Sequence, residues 1–258
     1  MNAVHDEATV RLQRRDLRGS RLRFLMLTSM PKEQVSATLT QLASPWASVD
    51  PLDDHWMPRG LLEPKEAKLG DCPQFLPANL RTKLTEWWLK VPTGVNTPNW
   101  NLVSTCKING DSGLILIEGK AHAGELDQAG KRNQGNPDND SQIRGAIEEA
   151  DPGLNAITPG WHLCADSHYQ LCNRFAWTWK LASLGIPTVL IFLAFLGATE
   201  MMNRGKLFAS AEEWHTLVRK HASGVVPDEA AWGRRLQASG APFWALIRSL
   251  DLRWVTGG

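Results

Sequence analysis

Glu118 and Lys120 carry the clearest chemical signal in this chain. They follow an apolar run, Leu114-Ile-Leu-Ile117, and a single glycine separates them. Side chains two positions apart lie on one face of a strand because successive side chains alternate. Burying an acid and a base at the end of an apolar strand is unfavourable unless they pair or serve chemistry. The sequence therefore allows two interpretations, a structural Glu–Lys pair at a strand end and a pair that takes part in catalysis.

Two neighbouring segments predict the hairpin that positions this pair. Trp100–Ile108 alternates and is rich in strand-forming residues, and Gly113–Ala121 forms the second strand. Asn109-Gly110 lies between them, and this dipeptide is the strongest short-range signal for a hairpin turn. We therefore expect an antiparallel pair whose open end carries the polar residues.

The register of this hairpin decides which side chains share a face. If Ile108 pairs with Gly113, Val103 faces Glu118 and Asn101 faces Lys120. An amide, a carboxylate and an ammonium then converge at the end distant from the turn. A slip by one residue would turn one strand over, so the prediction depends on the parity of the pairing.

The rest of the chain predicts alternating helices and a second buried strand. Leu181–Ala198 is uncharged, but Gly185 and Pro187 interrupt it. We interpret this segment as a helix end, a turn and a strand buried on both faces, with a membrane helix as the less favoured alternative. The predicted strand covers Pro187–Ala194. The predicted helices cover Pro31–Leu42, Ala78–Leu89, Asp140 or Ser141 to Ala150, and Ser167–Leu184. Three more helices are predicted towards the C-terminus, one that begins at Ser210 and two near 228–238 and 242–250.

The order of these elements and the Ile117-Glu-Gly-Lys120 motif resemble the PD-(D/E)XK superfamily, the restriction-endonuclease-like nucleases. The resemblance covers about Ala78–Ala194 and implies a core made of a helix, a meander of three strands, a second helix and a fourth strand. Ala78–Leu89 would be the first helix, and the two hairpin strands would be the second and third strands. Leu22–Leu27 is a candidate for the first strand, although it lies out of the usual order.

The resemblance also implies a metal site for hydrolysis of phosphodiester bonds in nucleic acid, with DNA as the expected substrate. Glu118, Lys120 and Asn101 would be the catalytic residues, and Lys120 would orient the attacking water. Asn101 occupies the place of the superfamily's metal-binding aspartate, and an amide brings no negative charge to a metal. The implied ligands of Mg²⁺ or Mn²⁺ are Glu118, Asn101, the Gly119 carbonyl and, as a compensating acid, Glu86.

Two further residues are candidates for contact with the substrate. His122 continues the strand face of Glu118 and Lys120, and Gln142 lies near the start of a predicted helix. Each also has an ordinary structural interpretation, His122 as a solvent-facing strand end and Gln142 as a residue of a helix surface. A second alternative concerns the whole protein: a nuclease-like fold that has lost catalysis and retains a nucleic-acid-binding or structural role.

These observations predict an α/β protein with a restriction-endonuclease-like core, a central mixed sheet flanked by helices and a helical C-terminal extension. The expected division is a basic arm over 1–30, the α/β domain over 31–205 and the extension over 206–258, packed on the same domain. The six arginines of the arm suit a solvated or disordered segment, and alternatively a phosphate-contacting one. These arginines are Arg11, Arg14, Arg15, Arg18, Arg21 and Arg23.

Composition sets the outer limits of the interpretation. The chain has 258 residues and a net charge of +1, so its overall charge does not indicate a polyanionic partner. The four cysteines form no CxxC pair, and no apolar segment begins the chain, so we expect a cytoplasmic protein with reduced thiols, no membrane association and a homodimer as an open alternative. One further alternative is a zinc site formed by His162, Cys164, His168 and Cys172.

Overall fold

The computed structural model describes residue 12 and residues 18–92, 97–131 and 136–252. Its centre is a mixed six-stranded sheet. In spatial order the strands are β1 (Trp56–Met57), β4 (Leu102–Ile108), β5 (Asp111–Lys120), β6 (Thr188–Leu196), β8 (Pro242–Asp251) and β7 (Leu236–Gln237). The β5–β6 and β6–β8 pairs are parallel, and the other pairs are antiparallel. A separate two-stranded ribbon pairs β2 (Ala67–Lys68) with β3 (Asn99–Trp100).

Helices cover both faces of the sheet, because the interior strands are apolar on both faces. One face packs on α1 (Gly19–Thr28) and α2 (Lys32–Ala43) through residues such as Ile115, Ile117 and Ile191. The other face packs on the remaining longer helices through residues such as Leu116 and Phe192. Those helices are α3 (Ala78–Trp88), α4 (Pro137–Asn155), α5 (Tyr169–Ser183) and α6 (Ala211–Ala222); α7 (Asp228–Ala231) and the 3₁₀ turns Ala123–Glu125 and Thr199–Met201 are short.

The predicted α/β class with a mixed sheet flanked by helices is confirmed. The helices predicted over Pro31–Leu42 and Ala78–Leu89 are present within a residue or two of the expected bounds. The segment interrupted by Gly185 and Pro187 is a helix end, a turn and the buried strand β6, as expected. Within the described residues, no helix is both long enough and apolar enough to cross a membrane.

The hairpin of β4 and β5 forms in a register shifted by two residues from the predicted one. Ile108 pairs with Asp111 rather than Gly113, and Leu102 pairs with Ile117. An even shift preserves the faces of both strands. Val103, Glu118 and Lys120 therefore remain on one face. Asn101 lies in the bend between β3 and β4, so the alternation of β4 does not extend to it.

Three predictions of secondary structure towards the ends of the chain are wrong. Leu22–Leu27 is not a strand, because it lies in α1, and the strand that pairs with β4 on the side away from β5 is the short β1. The helix predicted near 242–250 is instead β8, and the helix predicted near 228–238 covers only Asp228–Ala231. The C-terminal segment is therefore not purely helical, because pairing with β6 overrides a local pattern that fits either structure.

The described part of the basic arm is also not a solvated segment. Arg23 is 1% exposed, and its guanidinium pairs with Glu200 at 2.6 Å. The Arg23 guanidinium also donates to the carbonyl oxygen of Leu252, just beyond β8. This contact fixes α1 to the ends of β6 and β8. Arg11, Arg14 and Arg15 lie outside the described residues.

Candidate active site

The open end of the hairpin places Asn101 against the β5 backbone. The β4–β5 ladder ends at the pair Leu102 and Ile117, so the next β5 residues lose their β4 partners. The side-chain oxygen of Asn101 accepts the N–H of Gly119 at 2.8 Å. Asn101 thus replaces a ladder hydrogen bond, and it holds the glycine between Glu118 and Lys120 in place.

Glu118 is buried between two cations. It is 2% exposed, and one carboxylate oxygen accepts from the Lys120 ammonium at 2.8 Å. Its other oxygen accepts from the Arg174 guanidinium at 2.7 and 2.8 Å. Arg174 lies on α5, where it also donates to the Asn99 carbonyl oxygen and packs over the Trp100 ring. The acid is therefore paired from its own strand and from a helix.

Gln170 joins the acid and the base of the motif. Its side-chain oxygen accepts from the Lys120 ammonium at 2.7 Å, and its nitrogen donates to Glu118 at 2.7 Å. Gln170 and Arg174 are four residues apart, so they lie on one face of α5. One helical turn thereby fixes the positions of both Glu118 and Lys120.

The two cations keep Glu118 ionised despite its burial. Burial raises the pKa of the carboxyl group, but the charges and hydrogen bonds of Lys120 and Arg174 lower that pKa by more than burial raises it. The net effect is a pKa below the ordinary value of 4.5. A buried carboxylate that remains charged at neutral pH can serve as a ligand or an electrostatic group.

The β2–β3 ribbon brings a second acid to the same place. Its pairing of Ala67 with Trp100 sets Glu66 beside Asn101. One Glu66 oxygen accepts from the Asn101 amide nitrogen at 3.1 Å, and the other pairs with Arg21 of α1 at 2.9 Å. Asn101 therefore lies between Glu66 and the Glu118–Lys120 strand end.

These groups line one side of a cavity of about 970 Å³. Its walls are built from β2 and β3, the end of β5, the following loop, and helices α3, α4 and α5. Four acids and four bases line it, so the cavity is polar without a large net charge. The charged residues that line it are Glu66, Lys68, Glu118, Lys120, Glu125, Asp127, Lys131 and Arg174.

The wall carries oxygen donors of the type that a hard divalent cation takes, although no three His, Cys, Asp or Glu side chains of the described residues are grouped there. Mg²⁺ takes carboxylate, amide and carbonyl oxygens and retains several waters. Glu118, Glu66 and Asn101 carry such oxygens, and Asn101 contacts Glu66 through its nitrogen and the Gly119 N–H through its oxygen. An ion that binds Glu118 would have to take over an oxygen that Lys120 or Arg174 now holds.

Three of the residues predicted from the sequence do not line this cavity. Glu86 is exposed on α3, and its carbonyl oxygen accepts from the side chain of Gln142 on α4. Gln142 also donates to the Trp87 carbonyl oxygen, so it ties two helices together. His122 is buried, and its Nδ1 atom accepts the N–H of Gly124 in the turn after β5.

The histidines and cysteines of the zinc alternative serve other roles. Cys172 is buried in α5 and donates to the Ser167 carbonyl oxygen, and burial raises the pKa of its thiol to about 12. His162 is exposed, and its backbone N–H donates to the carbonyl oxygen of Val225 on another segment. Across residues 18–92, 97–131 and 136–252, no three His, Cys, Asp or Glu side chains are grouped so that they could hold a metal ion.

The structure adds three residues that the sequence interpretation missed. Gln170 and Arg174 have no local signal, because their role depends on where α5 crosses the sheet. Glu66 did have one, because Glu66-Ala67-Lys68 repeats the Glu-x-Lys spacing of the motif on β5. That triplet lies in a segment with little periodicity, so the triplet alone indicates neither a strand nor a functional site.

Comparison of the chain with protein-family models, with curated proteins and with solved structures gives no significant match.

Proposed function

We propose that the chain is a metal-dependent nuclease that hydrolyses phosphodiester bonds of nucleic acid, with DNA as the expected substrate. The observation that carries the proposal is the arrangement around Glu118. A buried, ionised carboxylate, a lysine two residues later, an amide and a second acid meet on the wall of a polar cavity. A structural Glu–Lys pair alone would not account for Glu66 and Asn101 at the same place.

The order of the strands fits the same class of protein. Helices α1 and α2 precede the antiparallel strands β1, β4 and β5, and helices α4 and α5 lead to the parallel strand β6. Helix α3 lies between β1 and β4, so α1 or α2 would be the first helix of the core, and not Ala78–Leu89 as the sequence predicts. The sequence resemblance to the PD-(D/E)XK nucleases implies a helix, three meander strands, a helix and a fourth strand. In this comparison β1 takes the place that Leu22–Leu27 could not fill.

Each residue has a role that follows from its contacts. A bound Mg²⁺ or Mn²⁺ would activate water and neutralise charge on the phosphate. Glu118, Glu66, Asn101 and the Gly119 carbonyl would hold the ion. Lys120, held by Gln170, would orient the attacking water and stabilise negative charge that develops on the phosphate. Arg174 keeps Glu118 charged and oriented.

The first test is metal-dependent cleavage of plasmid and linear DNA. We expect cleavage with Mg²⁺ or Mn²⁺ and none with EDTA. Lys120→Ala and Glu118→Gln should each reduce the rate by about 100-fold or more, since each removes a charged group from the site. Circular dichroism must show that both variants remain folded, because Glu118→Gln leaves two buried cations without their anion.

A matched control uses another Glu–Lys pair. Lys180 and Glu149 lie 2.7 Å apart on α5 and α4, and neither lines the cavity. Lys180→Ala and Glu149→Gln should leave cleavage within about twofold, because a partly exposed pair contributes little. Equal activity of wild type, Lys120→Ala and Glu118→Gln would contradict the assignment of the site.

One observation favours a second function, binding of nucleic acid without cleavage. Both oxygens of Glu118 are already held by cations, and Asn101 stands where the resemblance implies an aspartate. A site of this kind would bind DNA without a need for metal. Binding that is equal in EDTA and in Mg²⁺, together with no cleavage, would support this alternative.

A further inference from the structure

We propose that the cavity accepts an unpaired strand of nucleic acid and that a continuous duplex is a poor substrate. This inference rests on the proposed function and names its class of substrate. It is carried by the depth of the reactive groups, by the mixed lining of the cavity and by the position of Tyr169.

The reactive groups lie below the surface of the protein. Glu118 is 2% exposed and Lys120 is 7% exposed, and both line the recess of about 970 Å³. A duplex is stiff and carries its phosphates along its outside. A phosphate can reach a recessed group when its strand separates from the partner strand and bends inward. The depth of Glu118 therefore favours a strand that is already unpaired.

The lining of the cavity offers surfaces for both parts of an unpaired nucleotide. Pro98 and Tyr169 line the cavity beside the charged groups and are partly exposed; Trp88 and Ile143 also line it but are only 1% and 6% exposed. Unpaired strands expose the faces of their bases, and proteins bind such bases by stacking on aromatic rings. In a duplex these faces are covered by neighbouring bases, so an apolar wall of this kind would have no partner.

Tyr169 is the aromatic residue best placed for stacking. Tyr169 is half-buried at the start of α5, where it packs against the core, and Trp88 is almost fully buried. The Tyr169 N–H donates to the Ala129 carbonyl oxygen at 3.1 Å, which fixes the first turn of the helix. Tyr169, Gln170, Glu118 and Lys120 all line this cavity, so a base on the ring would share it with the reactive strand end.

Lys68 supplies a cation for the phosphate backbone. It lines the same cavity, and among the residues that the structure describes it has no carboxylate partner. The other cations of the wall are paired: Lys131 with Asp140, and Lys120 and Arg174 with Glu118. The Lys68 ammonium can therefore bind a phosphate without the loss of an existing ion pair.

The test compares one labelled oligodeoxynucleotide as a single strand and as a duplex. Fluorescence anisotropy in Ca²⁺ measures binding, and gel analysis in Mg²⁺ or Mn²⁺ measures cleavage. We expect the single strand to bind at least about tenfold more tightly than the duplex and to be cleaved faster. A single strand of RNA with the same sequence shows whether the sugar matters, and either single strand supports the inference.

Two substitutions identify the stacking ring. Tyr169→Ala should weaken binding of the single strand by about tenfold, since stacking on one ring has an effect of this size. Tyr169→Phe keeps the ring and should bind within about twofold of wild type. Circular dichroism of both variants provides the check on folding. Unchanged binding by Tyr169→Ala would overturn the inference.

The outcomes separate this inference from the proposed function. Equal or preferred cleavage of the duplex would overturn the inference and leave the nuclease proposal standing. Preferential binding of the single strand with no cleavage under any metal would support the inference and contradict the nuclease proposal. Absence of binding to every strand and duplex would overturn the inference.

Discussion

Asn101 is the residue at which a substitution should change the metal affinity of the site. Its side-chain oxygen accepts the Gly119 N–H, and its nitrogen donates to Glu66. The amide thus satisfies one donor and one carboxylate at once. A carboxylate at this position would keep the first contact and replace the second with repulsion between like charges.

Asn101→Asp should therefore make stability depend on metal. Without a divalent ion we expect a lower melting temperature than wild type, because two acids face each other. With Mg²⁺ or Mn²⁺ we expect recovery, and the metal should bind on the order of tenfold more tightly because an anionic ligand has been added. Thermal unfolding across a metal titration measures both effects.

Asn101→Ala is the control for this substitution. It removes the acceptor of the Gly119 N–H without adding charge, and a lost hydrogen bond of this kind costs about 1–3 kcal/mol. Its loss of stability should not be recovered by metal. The same response of Asn101→Asp and Asn101→Ala to Mn²⁺ would show that no ion binds near residue 101.

For single residues, the sequence predicts those that lie on neighbouring strands of the hairpin. It does not predict those that contact Glu118 from other elements. Glu118, Lys120 and Asn101 could be grouped because strand alternation is a local rule. Gln170 and Arg174 approach Glu118 from a helix more than fifty positions away in the chain. No local pattern predicts such a contact, because it depends on how α5 packs.

The strand β5 depends on a close approach between Gly119 and α1. A Cβ atom at Gly119 would lie 2.2 Å from the ring of Phe24, which is 1% exposed. The residue between the acid and the base of the motif must therefore be small. Glycine at this position lets the helix lie directly on the strand end that carries Glu118 and Lys120.

Gly119→Ala should destabilise the fold by about 1–3 kcal/mol, because an added methyl group must displace a buried ring. Chemical denaturation measures the change in the free energy of unfolding. Gly145→Ala on α4 is the matched control: an added Cβ meets no atom within 4 Å, and alanine should stabilise the helix by up to about 1 kcal/mol. A loss at Gly145 equal to that at Gly119 would contradict the role of Phe24.

At the scale of elements, strong local signals predicted well and ambiguous ones did not. The hairpin and β6 were recognised because turn residues bounded their apolar runs. In β8, Phe243, Leu246, Ile247 and Leu250 also fit the spacing of a helix face. Pairing with β6 over its full length decides in favour of a strand, and this pairing is not visible in the local sequence.

The interior position of β8 makes the C-terminal segment part of the molecule's core. Trp244 and Ala245 are fully buried, and β8 covers the edge of β6 that would otherwise be open. Removal of this strand would expose the backbone edge of β6. Such an exposed edge pairs readily with other chains.

A chain that ends at Gly205 should therefore fail to fold as a soluble unit. We expect little soluble protein and no cooperative unfolding transition, as measured by size-exclusion chromatography and thermal denaturation. The full chain under the same conditions is the comparison. A soluble chain of residues 1–205 with a sharp transition would show that β8 is dispensable.

The contact between Arg23 and Leu252 spans 229 positions of the chain. During synthesis the first helix leaves the ribosome long before its partner at the end of β8. The guanidinium of Arg23 and the apolar side of α1 must remain without their final contacts until the last strand arrives. Parallel pairing of β5, β6 and β8 adds further long loops to close, and folds dominated by such distant contacts form slowly. We therefore expect the newly synthesised chain to be prone to aggregation until β8 has paired with β6.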